Sequence, residues 1–402
     1  MRVLYFAKDA PTVNSGYGKC GREILTRLKN YHDVACFATV GNKASFLFEY
    51  QGIPIYPGTD DVMGQDLIER HLAHFKADLL ITQMDIWPFS RLVDLAAQEC
   101  FPWLAYVPID FDPVPSEIVD KLRPAVFRVA MSKWGQKKME EAGLQATTIH
   151  HGIDSKVYRL LDAPERLKCR VDLGFEKDCF LIGMVQANQL YRKAWVEQLQ
   201  AVAEFAKDRP NVRLYIHSLG NLGSSYDLDS LVRALDLAPI TRIADEYQFI
   251  IGYTEEQMAK IYNAFDVLLY ATAGEGFGLP IIEAQACGTP VISTNATSMP
   301  ELNLDGLNVQ PIDWTYSPNP VFRKAIPSQF EIVQNLKCCY EGINQSSVSR
   351  ADKAKRLWGW DTIIIPQWLK VIDQVQTLLS SKCYSIPAAT WTEESKKIRL
   401  IA

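Results

Sequence analysis

The stretch Gly274-Glu275-Gly276-Phe277-Gly278-Leu279-Pro280-Ile281-Ile282-Glu283-Ala284 lies between two apolar runs, Asp266 to Ala271 and Pro290 to Thr294, and few folds accommodate that order. Val267, Leu268, Leu269 and Tyr270 form a short, uninterrupted apolar block of the kind shown by a strand buried on both faces. Pro280 suits the first turn of a helix, where its missing N–H costs nothing, and Cys287-Gly288-Thr289-Pro290 reads as that helix's stop. The segment is therefore strand, glycine turn, short helix, strand. In such a unit the turn lies at the carboxyl edge of a parallel sheet, where open α/β proteins bind ligands, and its free N–H groups face an anion. Gly276 and Gly278 let the backbone come close to that anion.

Two carboxylates flank the turn, Glu275 in the loop and Glu283 about one turn into the helix. Beside amides that bind an anion, a carboxylate is badly placed to touch phosphates and well placed to accept hydrogen bonds from hydroxyls on either side of them. The ligand this describes has hydroxyls, then phosphates, then hydroxyls. A nucleotide-diphosphate sugar has that layout.

A chain of 402 residues exceeds one ordinary domain, so two domains of similar size are expected. Hydrophobic content of 48% and charged content of 22% describe a soluble globular chain. Nine scattered cysteines without a Cys-x-x-Cys pair make neither a disulfide framework nor a zinc site and fit a reducing compartment. The amino terminus has too short an apolar run for a signal peptide, and no stretch is long enough to span a bilayer. A cytoplasmic protein is expected, and the net charge of −5 gives no global attraction to nucleic acid or anionic membrane.

Along the chain, Val3 to Phe6 reads as a first strand leading into Asn14-Ser15-Gly16-Tyr17-Gly18-Lys19-Cys20-Gly21 and a helical run from Arg22 to Leu28. No ribose-binding acid stands about 20 residues further on, which argues against a nicotinamide site. Val34 to Val40, Ala77 to Thr82 and Trp103 to Val107 alternate with helices expected at Gly64 to Phe75 and Ser90 to Glu99, which predicts a parallel sheet with crossover helices. His71 and His74 are assigned to a solvated helix face. Asp110 and Asp112 come after the fourth strand as an Asp-x-Asp, a weak metal pattern on its own.

Lys121 to Glu141 carries Lys121, Arg123, Arg128, Lys133, Lys137 and Lys138 with Trp134 among them. It reads either as a solvated helix face or as a docking surface for an anionic acceptor or a membrane surface. Phe180 to Val185, Val212 to Ile216 and Gln248 to Ile251 are the expected strands of the second half. Thr254 with Gln257 makes a capping box, and Met258, Ile261, Tyr262 and Phe265 form one apolar stripe of a core helix. Residues 312 to 327, with Pro318, Pro320 and Pro327, read as an irregular segment.

Glu275 and Glu283, with seven residues between them and Gly-Phe-Gly-Leu-Pro inside, and with Gly288-Thr289-Pro290-Val291-Ile292 downstream, resemble the signature of the family 4 retaining glycosyltransferases of GT-B fold. Met299-Pro300-Glu301-Leu302, His150-His151-Gly152-Ile153-Asp154 and Trp358-Gly359-Trp360-Asp361 continue the resemblance. It implies an α/β fold of two Rossmann-like, doubly wound parallel-sheet domains facing a cleft, with a C-terminal helix crossing back to the first domain. The expected divisions are an acceptor-binding domain over 1–160, a connection over 161–176, a nucleotide-sugar-binding domain over 177–375 and a returning segment over 376–402.

By the same resemblance Glu283 holds ribose hydroxyls, Glu275 orients the donor sugar, and Gly276, Phe277, Gly278 and Leu279 approach sugar and diphosphate. Arg192 and Lys193 neutralise the diphosphate, and Glu301 borders the base or ribose. Gly16 and Gly18 either help to hold sugar and acceptor or simply form a tight strand-to-helix turn. The family usually has a histidine near Asp110; this chain offers Asp110 instead, which makes it a substrate-contacting candidate. The implied reaction is metal-independent retaining transfer from a nucleotide-diphosphate sugar, with no cofactor, to a glycolipid or saccharide hydroxyl, a hydroxylated base in nucleic acid remaining open. A nucleotide-sugar epimerase of the same fold and a non-catalytic nucleotide-sugar-binding subunit are the alternatives.

Overall fold

The computed structural model describes residues 1–43, 46–61, 63–220, 225–318, 321–342 and 346–380. Two sheets organise the chain. The first contains β1 (Arg2–Asp9), β2 (Asp33–Val40), β3 (Phe48–Tyr50), β4 (Ile53–Tyr56), β5 (Leu79–Gln83), β6 (Trp103–Val107), β7 (Phe127–Ala130) and β8 (Thr147–Thr148), in the order β3-β4-β2-β1-β5-β6-β7-β8. Only the β3–β4 pair is antiparallel. The second contains β9 (Phe180–Val185), β10 (Val212–His217), β11 (Thr241–Ile243), β12 (Val267–Tyr270), β13 (Val291–Thr294) and β14 (Asn308–Val309), in the all-parallel order β11-β10-β9-β12-β13-β14.

The chain winds outward in both directions from β1 in the first sheet and from β9 in the second. Their carboxyl ends are topological switch points, where a crevice opens because successive crossovers leave to opposite sides. Val3 to Ala7 of β1 and Val267 to Leu269 of β12 are fully buried, as a parallel strand covered by helices on both faces requires. Two Rossmann-like domains result, each with a switch point directed into the space between them.

The connections differ from expectation in instructive ways. The 161–176 connection is mostly helix, Ala163–Asp172, opened by a capping box between Asp162 and Glu165. Arg170 fixes it to the second domain by donating to the carbonyls of Ala264 and Cys179 and pairing with Asp266 at 2.9 Å. The chain returns to the first domain at Gly359 and Trp360 rather than at 376. The helix Ile365–Leu379 then lies on that domain, with Trp368 edge-on to Tyr106 at 4.9 Å. Residues 381–402 of the expected returning segment lie outside the described residues.

Gln248 to Ile251 is not a strand but part of a short helix, Glu246–Ile251, because the Asp245 side chain accepts the Gln248 N–H (2.7 Å) and so caps it. An apolar run of four residues carries no period that could separate the two readings. The strand at that edge is β11, three residues of mixed polarity. Residues 312 to 327 are likewise ordered, as the antiparallel hairpin of β15 (Pro311–Pro318) and β16 (Val321–Pro327), with Trp314 opposite Ala325 and Tyr316 opposite Arg323. Its prolines sit at strand ends, where they remove few ladder bonds; Pro320, at the turn, lies outside the described residues. The helices of the first domain begin or end short of expectation, at Ile68–Phe75 and Arg91–Ala97. His71 is not solvated: its ring is buried against Phe37 and Tyr56 and its Nε2 lies 3.0 Å from the Pro57 carbonyl, while His74 Nδ1 lies 2.8 Å from the Tyr56 hydroxyl.

Candidate active site

The glycine turn is held from behind. The Glu275 N–H donates to Thr297 Oγ1 (2.9 Å), and Ser298 Oγ donates to the carbonyls of Glu275 (2.8 Å) and Phe277 (2.6 Å). Gly278 caps the helix Leu279–Ala286 in a left-handed conformation (φ 111°). Gly276 is fixed by a close approach across the cleft, since a Cβ there would stand 2.4 Å from Pro108 Cβ on the turn after β6. The turn therefore lies directly against the first domain.

Arg192 and Lys193 come after β9, between Tyr191 and Ala194, both left-handed (φ 60° and 44°). Such residues persist only where their surroundings hold them. Here the Arg192 carbonyl accepts the Ala273 N–H (2.9 Å), and the Lys193 carbonyl accepts from the amides of Gln186 and Gln198. The two cations converge on one carboxylate, with Lys193 Nζ 2.5 Å from Glu275 Oε1 and Arg192 Nη1 2.9 Å from Oε2. Burial alone would raise the Glu275 carboxyl, but Lys193 and Arg192 outweigh it and bring it down to about 2. Burial and the neighbouring Arg192 push the Lys193 ammonium down to about 8, against the pull of Glu275. One carboxylate answers two cations, and the less basic one yields.

Opposite stand the ends of β5 and β6. Asp110 is pushed up to about 6 by burial, against the pull of Arg192 and with Asp85 and Glu275 adding to the rise. Burial also raises Asp85, which accepts a hydrogen bond from the Tyr17 hydroxyl (3.3 Å). Asp112 turns away and pairs with Lys138 at 2.9 Å, so the Asp-x-Asp is divided between different surroundings. Among the described residues, no group of three or more His, Cys, Asp or Glu side chains is arranged to hold a metal ion.

Glu283 and Glu301 have partners that sequence reasoning did not foresee. Glu283 is buried, with Oε1 2.5 Å from Lys19 Nζ and Oε2 accepting the Tyr262 hydroxyl at 2.8 Å; Lys19 comes from the first domain and also bonds the Tyr158 hydroxyl. Glu301 crosses the cleft to accept the amides of Lys133 (2.9 Å) and Trp134 (3.1 Å) at the start of the helix Lys133–Glu141, and lies 3.0 Å from His150 Nε2. Phe277 is buried, its ring edge-on to His151 at 4.9 Å. Gly16 faces Leu279 across the cleft, whereas Gly18 serves the turn, where a Cβ would fall 2.3 Å from the Val13 carbonyl oxygen.

The basic segment divides into the helices Ser116–Leu122 and Lys133–Glu141 with β7 between them, and much of its charge is answered locally. Lys121 pairs with Glu117, Arg123 with Asp120, and Lys137 and Lys138 with Glu141, while Arg128 donates to the carbonyls of Leu122, Arg123 and Gln145. Tyr17, Lys19, Asp85 and Lys324 are the site residues that the sequence did not announce. Asp85 had a signal, its place two residues past the carboxyl end of β5, the edge at which an open α/β sheet binds ligands. Lys324 carried no signal, because nothing in its own segment marks a hairpin.

Residues 176–315 match the family model of Glycosyl transferases group 1. The chain is similar over 152 residues (31% identity, 38% of this chain) to a D-inositol 3-phosphate glycosyltransferase of Mycobacteroides abscessus, and over 163 residues (32% identity, 40% of this chain) to that of Mycobacterium marinum. It matches 32% of the length of each of these relatives. Among solved structures, the fold is shared with Anabaena HepE in complex with UDP and glucose (TM-score 0.72, 18% identity, 93% of this chain and 100% of that one). It is shared equally with sucrose-phosphate synthase from Thermosynechococcus elongatus (TM-score 0.72, 16% identity, 95% of this chain and 100% of that one). These likenesses establish the GT-B arrangement of the two domains. Among the described residues, no helix is long and apolar enough to cross a membrane.

Proposed function

We propose that the protein is a retaining glycosyltransferase that moves a sugar from a nucleotide-diphosphate sugar to an acceptor hydroxyl without a metal ion. The observation that carries this reading is the convergence of Arg192, Lys193 and Glu275 at the glycine turn that opens the helix Leu279–Ala286. The diphosphate lies against the two cations and the turn amides, where helix-terminal N–H groups favour negative charge. As the glycosidic bond breaks, charge grows on the leaving phosphate, and fixed cations in a buried site stabilise that growth most. In this reading they take the place that a divalent cation would fill.

Glu275, held ionised, accepts hydrogen bonds from the hydroxyls of the donor sugar. Both its oxygens are engaged by Arg192 and Lys193, which argues against a free nucleophile for double displacement and in favour of front-face attack, with the leaving phosphate taking the acceptor's proton. Glu283 is assigned the ribose hydroxyls, which would take the position Lys19 fills here. Asp110 is assigned the attacking hydroxyl. A saccharide or glycolipid is the favoured acceptor class, and a cytoplasmic location accords with the eight cysteines among the described residues, all free.

Thermal unfolding against UDP, GDP, ADP and their sugar conjugates tests the donor assignment. A ligand at a hundredfold its Kd adds about 2.7 kcal/mol of stability. A shift with one base family is expected, and Lys193→Ala is expected to abolish most turnover of that donor. No shift with any nucleotide would overturn the reading.

A further inference from the structure

The hairpin β15–β16 touches both walls of the cleft. The Arg323 N–H donates to the Asp112 carbonyl (3.2 Å) of the first domain, and the Ala325 N–H donates to the Ala273 carbonyl (3.0 Å), one residue before the glycine turn of the second. Phe322 is buried edge-on against Phe111 at 4.7 Å, and Ala325 is buried as well. Phe322 and Lys324 are two residues apart and so share one face of β16. That face is turned toward the Asp110–Asp112 turn. Lys324 is half-buried, and its charge acts on both Asp110 and Arg192.

We propose that this hairpin is the acceptor-side wall of the reaction cleft and that Lys324 on it selects the acceptor, a neutral polyhydroxylated compound whose hydroxyls bridge the Lys324 ammonium and the carboxyls of Asp110 and Asp85. The proposal rests on the glycosyltransferase reading and names the substrate class for its second site.

Charge balance argues for a neutral acceptor. With a diphosphate against Arg192 and Lys193, their positive charge is answered on the donor side. The acceptor then meets two carboxyl groups, Asp85 and Asp110, and one ammonium. A phosphate or carboxylate on the acceptor would lie near two like charges and the donor's own diphosphate, with Lys324 alone to offset them. A hydroxyl suits both kinds of neighbour, because it donates to a carboxylate and accepts from an ammonium in one geometry. Lys324 also favours the ionised form of Asp110. The amide contacts place this cation on a wall anchored to both domains, so its position depends on the cleft being closed.

Thermal unfolding with UDP present separates the two levels of the argument, since the UDP shift reports the donor reading and serves as a fold control for each variant. Glucose, methyl glucoside and myo-inositol at millimolar concentration are the neutral probes; glucose 6-phosphate and inositol 1-phosphate are the charged ones. At least one neutral probe is expected to add a further shift, with an apparent Kd weakened about tenfold or more in Lys324→Met, the loss of a hydrogen bond to a charged group. Partial recovery is expected in Lys324→Arg, with the UDP shift unchanged in both. The proposal is overturned if only the phosphorylated probes shift the protein, if no neutral probe does, or if the neutral shift survives Lys324→Met. Failure of UDP and every other nucleotide to shift the wild type would overturn the donor reading instead.

Discussion

Glu275 and Glu283 stand on one short piece of chain, both buried and both bonded to lysine at 2.5 Å, yet they belong to different kinds of structure. Glu275 draws its partners, Arg192 and Lys193, from its own domain, and the backbone on either side is bonded in place. Its geometry exists whatever the first domain does. Glu283 is paired with Lys19 from the other domain, beside a second interdomain pair, Arg22 with Glu255 at 2.5 Å. Its surroundings are made by closing the cleft. The difference teaches that a site can be preorganised where charge develops and conditional where the remote part of a ligand enters. Preorganised dipoles and charges cost no rearrangement at the moment of reaction.

The sharpest way to break this distinction is Glu275→Ala. It leaves two buried cations without their carboxylate, a change expected to cost about 3 to 5 kcal/mol in urea unfolding. Turnover should fall by about a hundred- to a thousandfold. A smaller loss in both would mean that the cluster is not the preformed half of the site. Lys19→Met should do less, about 1 to 3 kcal/mol, because Glu283 keeps the Tyr262 hydroxyl. Its interaction energy with Glu283→Gln in a double-mutant cycle should be large in the free protein and shrink when donor is bound. An unchanged cycle would show that no ligand group replaces Lys19.

The third test places a titration on each side of the cleft and should produce the mildest effect. Asp110 must be ionised to accept a hydrogen bond from the acceptor, so kcat/KM should fall as pH drops through about 6. Lys193 must be protonated to stabilise the leaving group, so kcat/KM should fall as pH rises through about 8. Asp110→Asn should remove the acid limb and leave the alkaline one. Retention of both limbs would detach Asp110 from the reaction.

The strand, glycine turn and helix around Glu275 were legible in the sequence because local rules all agree there: an apolar block, glycines at a close approach, and proline in the first helical turn. The pairing of Arg192 and Lys193 with Glu275 is a consequence of the switch point, once β9 and β12 are known to be neighbours. The partners of Glu283 and Glu301 were not legible, since Lys19, Lys133 and Trp134 reach them only through the arrangement of two domains, and no local pattern encodes that arrangement. Residues 312 to 327 were misread for a different reason. Prolines mark strand ends as readily as irregular chain, and only the partner strand decides between them. His71 shows the same limit from the side of burial, because a polar ring on a helix reads as exposed until the sheet beneath it is in view.

The polypeptide passes between the domains twice, near Ile153 and near Gly359, and the two passages are joined edge to edge. The Ile153 N–H donates to the Trp358 carbonyl at 2.8 Å and the Trp360 N–H to the Ile153 carbonyl at 3.4 Å, with Gly152 leaving no room between its backbone and the Trp360 indole. Two crossings bonded side by side behave as a pin rather than a tether, leaving relative motion of the halves close to one degree of freedom. Every contact far from that axis, the β15–β16 bonds to Asp112 and Ala273 among them, therefore acts with leverage, and a small rotation at Ile153 opens the widest gap at the opposite end.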